Sequence, residues 1–390
     1  MTHAVGRAAI HGIGTAIPPH RLEQSEVSER LARAFAGMGD TARWARRIFK
    51  QSGVDTRYTC EPNLLEEAEL CRYVESGDRF SVPSTTERMR IYEKESVRLA
   101  ADAAGRALLA SGTSPEEVTY LITVSCTGMF LPGLDVHLAK ELKLKSRVNR
   151  YPLTFLGCAA GLTALRLSRS LLEADSEGVV LIVCVELCTL HLQPTASREA
   201  LYASAFFGDG ASACVVTRRD GGWYELGDER TFLLPDSEEE ISWRIGSFGF
   251  DIRLSTRIPK LIGEHVPRAV SEWLGPLEEV KLWAIHPGGR GIVDALESSL
   301  GLTPDDTSAS RAVLRNYGNL SSATLLFVLQ HLRERLLARG EREPRDGVAL
   351  AFGPGVSAEM LRIRYLPGAR RRMEETGRLV PAGADGREDE

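Results

Sequence analysis

The sequence predicts an internally duplicated α/β fold, with a parallel-rich sheet sandwiched between helices. Three observations carry this. Short, nearly continuous apolar runs such as VTYLITVS (118–125), GVVLIVC (178–184) and GVALAF (347–352) read as strands buried on both faces. Segments of helical periodicity alternate with them, as parallel strands require. After a polar stretch at 218–242 the same order of elements begins again, without any literal sequence repeat. The 390 residues, 43% hydrophobic and 26% charged, suffice for one large unit or two ordinary domains.

Residues 8–13 read as a first strand, ending in a loop marked by Gly12, Gly14, Pro18 and Pro19. The GxG there lacks the third glycine and the helix of a dinucleotide site, so a turn is expected. Residues 25–36 form an amphipathic helix with Ser25 as N-cap. The next helix, 41–50, carries Arg43, Arg46, Arg47 and Lys50, either a solvated basic face or a docking place for substrate phosphates. A long Ala-rich helix covers 92–109, and the strand at 118–125 leads through CTGMFLPGLD into a helix reaching Leu142. An apolar segment at 151–156 then runs into Gly157-Cys158-Ala159-Ala160-Gly161, followed by leucines at helical spacing. Cys158 therefore falls at a strand-to-helix turn, where free N–H groups and the helix dipole favour a thiolate. The competing reading is a small buried thiol that only packs.

The strand at 178–184 is followed by a turn and strand in AFFGDGASACVVT (205–217). The acidic, glycine-containing stretch 218–242 reads as a boundary. Beyond it come a helix at 258–273, a strand at 280–285 ending in HPGGRGIVDAL, and a turn into an amphipathic helix within 311–336. Strands at 347–352 and 360–365 close the order, and the charged residues from Arg370 on predict a disordered tail.

A net charge of −5 argues against nucleic acid as the main partner. The seven cysteines, at 60, 71, 126, 158, 184, 188 and 214, form no CxxC pair and no zinc-type set, so no metal is expected and a reducing, cytoplasmic compartment fits. The N-terminal residues lack the apolar stretch of a signal peptide, and no apolar run is long enough to span a membrane.

Three turns carry candidate catalytic groups. His286 directly follows an apolar strand, and Asn319 sits in YGNLSS at a helix entrance. Taken singly, His286 could be a satisfied turn histidine and Asn319 a helix cap. Together with Cys158 they offer a nucleophilic sulfur, a base or cation beside it, and an amide donor for a developing oxyanion.

The motifs GCAAGLTALR, FFGDGASACVV, WAIHPGGRGIVD, NYGNLSSATLLF and AFGPGVSAEM, in that order, resemble the chalcone synthase-like (type III) polyketide synthases of the thiolase superfamily. The resemblance covers roughly 8–366, and residues 125–135 resemble bacterial members more than plant ones. It implies a thiolase-like duplicated fold, layered α-β-α-β-α with two mixed sheets around a central helix layer. Residues 1–225 would carry the nucleophile, 226–368 the histidine and asparagine, and 369–390 the tail.

By the same resemblance Cys158 takes up a starter acyl group from coenzyme A. His286 stabilises its thiolate and, with Asn319, polarises malonyl-CoA so that loss of CO2 leaves an enolate for Claisen condensation. Phe207 matches one gatekeeper of the coenzyme A tunnel, and Ile252 falls where plant relatives carry the second, a Phe. Cys126, Thr127, His191, Trp243 and Ser321 match cavity walls, with Cys126 a second candidate acyl-carrying thiol. Leu131 stands where many relatives send a Met into the partner's cavity, which implies a homodimer. Ala351 replaces a glycine beside the active site and would tighten it by one methyl. Arg47, Lys50 and Gly288 are candidate coenzyme A contacts, with malonyl-CoA and acyl-CoA as substrates and no permanently bound cofactor. The implied activity is an acyltransferase of secondary metabolite biosynthesis, and a fatty-acyl starter closing to a pyrone or resorcinol is favoured. Alternatives are a ketoacyl synthase III-like single condensation on acyl carrier protein and an inactive acyl-binding scaffold. A papain-like hydrolase shares the Cys–His–Asn order but lacks CGSCW.

Overall fold

The computed structural model describes residues 6–74, 82–193, 195 and 197–367. The expected tail at 369–390 lies outside them. The first half runs β1 (Ala9–Ala16), β2 (His20–Glu23), α1 (Gln24–Ala34), α2 (Thr41–Gln51), β3 (Thr56–Thr59), α3 (Thr85–Ser111), β4 (Tyr120–Ser125), α4 (Leu134–Glu141), β5 (Asn149–Thr154), α5 (Ala160–Ala174), β6 (Val180–Leu187), α6 (Arg198–Phe206) and β7 (Asp209–Thr217). The second runs β8 (Tyr224–Leu233), β9 (Ile241–Gly246), β10 (Gly249–Leu254), α7 (Ile258–Leu274), β11 (Leu282–Ile285), α8 (Arg290–Leu300), α9 (Ser308–Tyr317), α10 (Thr324–Ala338), β12 (Arg345–Gly353) and β13 (Ser357–Tyr365).

The large sheet has the order β11-β12-β13-β8-β1-β7-β6-β4-β5. It is two mixed sheets joined edge to edge, because β1 and β8 pair only at Ala9–Glu225 and Ile10–Tyr224. The duplication is visible in the pairing. β4 lies parallel to β6 as β11 does to β12, and β7 and β1 then follow antiparallel as β13 and β8 do. Helices α3 and α7 precede the first strand of each set, α5 and α10 the second.

Strand alternation distributes the side chains between layers. On β6, Val180, Ile182 and Cys184 face the central helices with Leu162 and Leu165 of α5 and Leu325 and Leu329 of α10. Leu181, Val183 and Val185 face outward onto Ala100, Ala103 and Ala107 of α3. In the second sheet Ala349 and Ala351 point to the centre, while Val348 and Leu350 pack with Ile262 and Val266 of α7 and Leu296 of α8. Each fully buried Leu or Val contributes roughly 1.5–3 kcal/mol. Because α10 lies between two sheets, its first six residues are all buried, and the amphipathic pattern expected there gives way to an apolar surround. No helix among the described residues is long and apolar enough to cross a membrane.

Several local expectations change. Gly12 and Gly14 lie inside β1, not in a turn. A Cβ on Gly14 would stand 2.2 Å from the Ala103 carbonyl, so the glycine lets α3 press against the strand. Helix α1 starts at Gln24 after Glu23, which leaves Ser25 inside the first turn. Helix α3 begins earlier than its alanines suggest, at a capping box. Ser84 Oγ accepts from Glu87 N and the Glu87 carboxylate accepts from Ser84 N. Residues 224–233, within the polar stretch, form β8, whose alternating exposed face explains the polarity. Helix α6, capped by Ser197, had no counterpart in the sequence reading.

Candidate active site

Cys158 sits on a 3-10 turn, Gly157–Ala159, that leads straight into α5. His286 is the first residue after β11, held by its N–H donating to Leu350 O at 2.8 Å. Asn319 lies between α9 and the turn before α10. All three line one chamber of about 510 Å³ where the two halves meet.

The carboxamide of Asn319 is fixed from both ends. Its Oδ1 accepts from Ser321 N at 2.8 Å and its Nδ2 donates to Gly288 O at 3.1 Å. Gly288 is thereby a support for Asn319 as well as a wall of the chamber. Burial pushes the half-buried Cys158 thiol up to about 11, and the Glu186 carboxyl adds to this. Hydrogen bonds from Ser321 and Asn319 pull the other way. His286 is 1% exposed and burial draws it down to about 4. Neither of its ring nitrogens has a partner among the described residues. Burial therefore disfavours the charged form of both the thiol and the imidazole, and the imidazole nitrogens, without a protein partner among the described residues, can meet a carbonyl in the chamber.

Glu186, at the end of β6, is a site residue that the sequence reading missed. Its carboxyl accepts from Cys126 N (3.0 Å), Thr127 Oγ1 (2.8 Å) and Ser322 Oγ, and burial holds it above the usual carboxylate range. The one acid in the apolar run VLIVCVEL was the available signal. It ties the first half to the turn Ser321–Ala323, the twin of the Cys158 turn. Gly157 and Ser321 both adopt positive φ, 65° and 49°, so that Ser322 occupies in the second half the place of Cys158 in the first.

Of the expected walls, Cys126, Thr127, His191, Phe207, Trp243, Ile252 and Ser321 all line the chamber. Cys126 Sγ accepts from Gly157 N at 3.0 Å and is 5% exposed, a position that packs against the turn carrying Cys158. His191 accepts from Phe250 N at its Nδ1 (3.1 Å) and donates from Nε2 to Thr127 O (2.6 Å), which fixes its tautomer. An aromatic column follows. His191 stacks on Phe250 at 4.0 Å, Phe250 on Trp243 at 4.5 Å, and Phe155 meets Trp243 edge-on. Phe250 was not expected, since only the folded hairpin of β9 and β10 aligns it with the column. Leu131 points away from the chamber and is 96% exposed. Arg47 and Lys50 lie on the exposed face of α2 and do not line the chamber, whereas Ile48 and Gln51 of the same helix do. Ala351 does not tighten the site, because its methyl points into the central helix layer.

Residues 1–219 match the family model for the N-terminal domain of chalcone and stilbene synthases, and residues 226–367 match the model for their C-terminal domain. The chain belongs to the chalcone and stilbene synthase family. Solved structures agree with the assignment to these type III polyketide synthases. The C-terminal type III polyketide synthase domain of Steely1, a type I/III hybrid from Dictyostelium, superposes with a TM-score of 0.83 at 27% identity, covering 92% of this chain and 99% of that one. PKS-I from the brown alga Ectocarpus siliculosus superposes with a TM-score of 0.85 at 27% identity, covering 94% and 100%. The family makes this polyketide synthase an acyltransferase that acts on coenzyme A thioesters.

Proposed function

We propose that the chain extends an acyl-CoA starter with malonyl-CoA units while the growing chain is held as a thioester on Cys158. The observation that carries this reading is the convergence of Cys158, His286 and Asn319 on one chamber. Cys158 attacks the starter thioester, coenzyme A leaves as its thiol, and His286 relays the proton. Malonyl-CoA then binds with its thioester oxygen facing His286 and Asn319. Loss of CO2 delivers the electron pair to the α-carbon as an enolate, and this carbon attacks the acyl thioester and expels the Cys158 thiolate. Ser321, which donates to the sulfur, stabilises that leaving group.

The division of labour follows the halves, with 1–225 holding the nucleophile and 226–368 the two polarising groups. Phe207 and Ile252 frame the entrance, and the smaller Ile252 leaves an apolar passage suited to a fatty-acyl starter, with closure to a pyrone or resorcinol. The seven cysteines are all free, which suits a reducing compartment. Met129, Leu131, Phe155 and Leu156 expose apolar surface, which supports pairing with a second copy of the chain.

Incubation with malonyl-CoA and a fatty acyl-CoA, without carrier protein, tests the reading by mass spectrometry. The expected result is an acyl adduct on Cys158 and products extended two or three times. A single extension that requires acyl carrier protein, or no adduct at all, overturns it.

A further inference from the structure

Helix α6 ends against the segment that carries Asn319, and the last carbonyls of a helix find no partner within it. Here three in a row are taken from outside. Ala205 O accepts from Gln24 Nε2 at 2.7 Å, Phe206 O from Asn319 N at 2.8 Å and Phe207 O from Arg57 Nη1 at 2.7 Å. Arg57 Nε also donates to Gln24 Oε1 at 3.1 Å, so the two flanking donors are joined to each other. The stem of Arg57 packs on the residue before Asn319, since a Cβ on Gly318 would stand 2.9 Å from Arg57 Cγ. The chain around Arg57 grips the approach to Asn319 as well. Asp55 N donates to Arg315 O at 2.8 Å and Thr56 Oγ1 to Asn316 O at 2.7 Å, both near the end of α9.

Arg57 is fully buried, and its hydrogen bonds among the described residues go only to neutral acceptors. A charge in such a place costs desolvation that an apolar side chain would avoid. What the guanidinium supplies is a rigid fork and a positive charge at the carbonyl end of a helix. It does not line the catalytic chamber, and it meets the site only through the main chain of Phe207 and Gly318. The Asn319 carboxamide is oriented by Ser321 N and Gly288 O, which leaves its backbone to be fixed from behind.

We propose that Arg57, supported by Gln24, is a positioning residue for Asn319. It clamps the end of α6, and through Phe206 O and Phe207 O that clamp fixes the Asn319 backbone, so that the carboxamide meets the thioester oxygen of malonyl-CoA. Its effect on turnover rests on the malonyl-CoA chemistry proposed for Asn319 above.

Malonyl-CoA alone, which gives acetyl-CoA and CO2 with uptake of one proton, isolates the step assigned to Asn319. Arg57→Met, of similar length but without N–H groups, is expected to lower kcat for CO2 release about a hundredfold while KM holds. Arg57→Lys keeps the charge without the fork and restores part of the rate. The acyl adduct on Cys158 still reaches the wild-type level, which a general loss of structure would lower. In an Asn319→Ala background Arg57→Met costs nothing further, because the one residue acts through the other. Amide hydrogen exchange reads the same clamp without turnover. Peptides holding Gly208 and Asn319 exchange faster in Arg57→Met than in the wild type, and those of β4 and β6 do not. Gln24→Leu gives the same pattern more weakly and carries the test where Arg57→Met does not fold.

Multiplying losses in the double variant, or adduct and CO2 release lost in equal measure, overturn the positioning role. Faster exchange at Gly208 and Asn319 in a protein whose wild type releases no CO2 keeps that role and removes the malonyl-CoA chemistry. CO2 release and exchange both indifferent to Arg57 remove the positioning role alone.

Discussion

Phe207 and Asn319 lie side by side in a parallel β-bridge, with Gly208 N donating to Asn319 O at 3.1 Å and Asn319 N donating to Phe206 O at 2.8 Å. The backbone that carries the Phe207 ring is therefore tied directly to the backbone that carries the Asn319 carboxamide. Beneath them the fully buried Arg57 donates to Phe207 O at 2.7 Å. Gly318 completes the arrangement at φ 73°, and a Cβ there would stand 2.5 Å from Phe206 O. Gly318→Ala must push this ribbon apart. The expected outcome is a loss of about 1–3 kcal/mol or more in unfolding free energy and a fall in turnover, read by urea unfolding and product assay.

The thiol of Cys158, raised to about 11, is expected to alkylate slowly near neutral pH. Its rate with iodoacetamide should climb about tenfold per pH unit from 7 to 10, as the thiolate fraction does. Ser321→Ala removes a donor to the sulfur and should slow the reaction several-fold at any fixed pH in that range. Peptide mapping by mass spectrometry reads both. A plateau already reached at pH 7 contradicts the expectation.

His191 and His286 are each held down at about 4 by burial, from an ordinary value of 6.5. Unfolded chain takes up these protons first as pH falls. Their contribution is therefore complete above about 6.5 and is lost as pH drops through 4. Between pH 7 and 5 each histidine should remove roughly 2 kcal/mol from the unfolding free energy. Urea titrations at the two pH values measure the difference.

Glu186→Ala leaves Thr127 Oγ1, Ser322 Oγ and Cys126 N without their buried acceptor. A loss of about 3 kcal/mol or more is expected. Glu186→Gln keeps an acceptor oxygen and should cost less. Thermal unfolding of the two variants separates a hydrogen-bonding role from simple filling of space.

Trp243→Ala removes the middle of the aromatic column and widens the chamber beside Phe155 and Phe250. Stability should fall by about 3 kcal/mol or more. Longer acyl starters should be accepted, and mass spectrometry of the products checks this.

The buried strands β4, β6 and β12 were legible because nothing but a two-faced core explains such apolar runs. Cys158, His286 and Asn319 were legible because each sits at a turn next to such an element. Glu186 was hidden, since its partners Cys126, Thr127 and Ser322 come from other strands and from the opposite half. The aromatic column was hidden too, because His191 and Phe250 are 59 residues apart and meet only when β10 folds back. Arg57 looked like one more polar residue of a short strand. Its position under Phe207 and Gly318 depends on segments more than a hundred residues away.

The two mirrored turns have a stoichiometric consequence. Cys158 and Ser322 occupy matching places, yet the Ser322 hydroxyl is tied to Glu186 while the Cys158 sulfur opens onto the chamber. If Cys158 is the acyl carrier proposed above and the buried Cys126 and Cys188 stay unmodified, radiolabel from a starter should saturate at one equivalent per polypeptide.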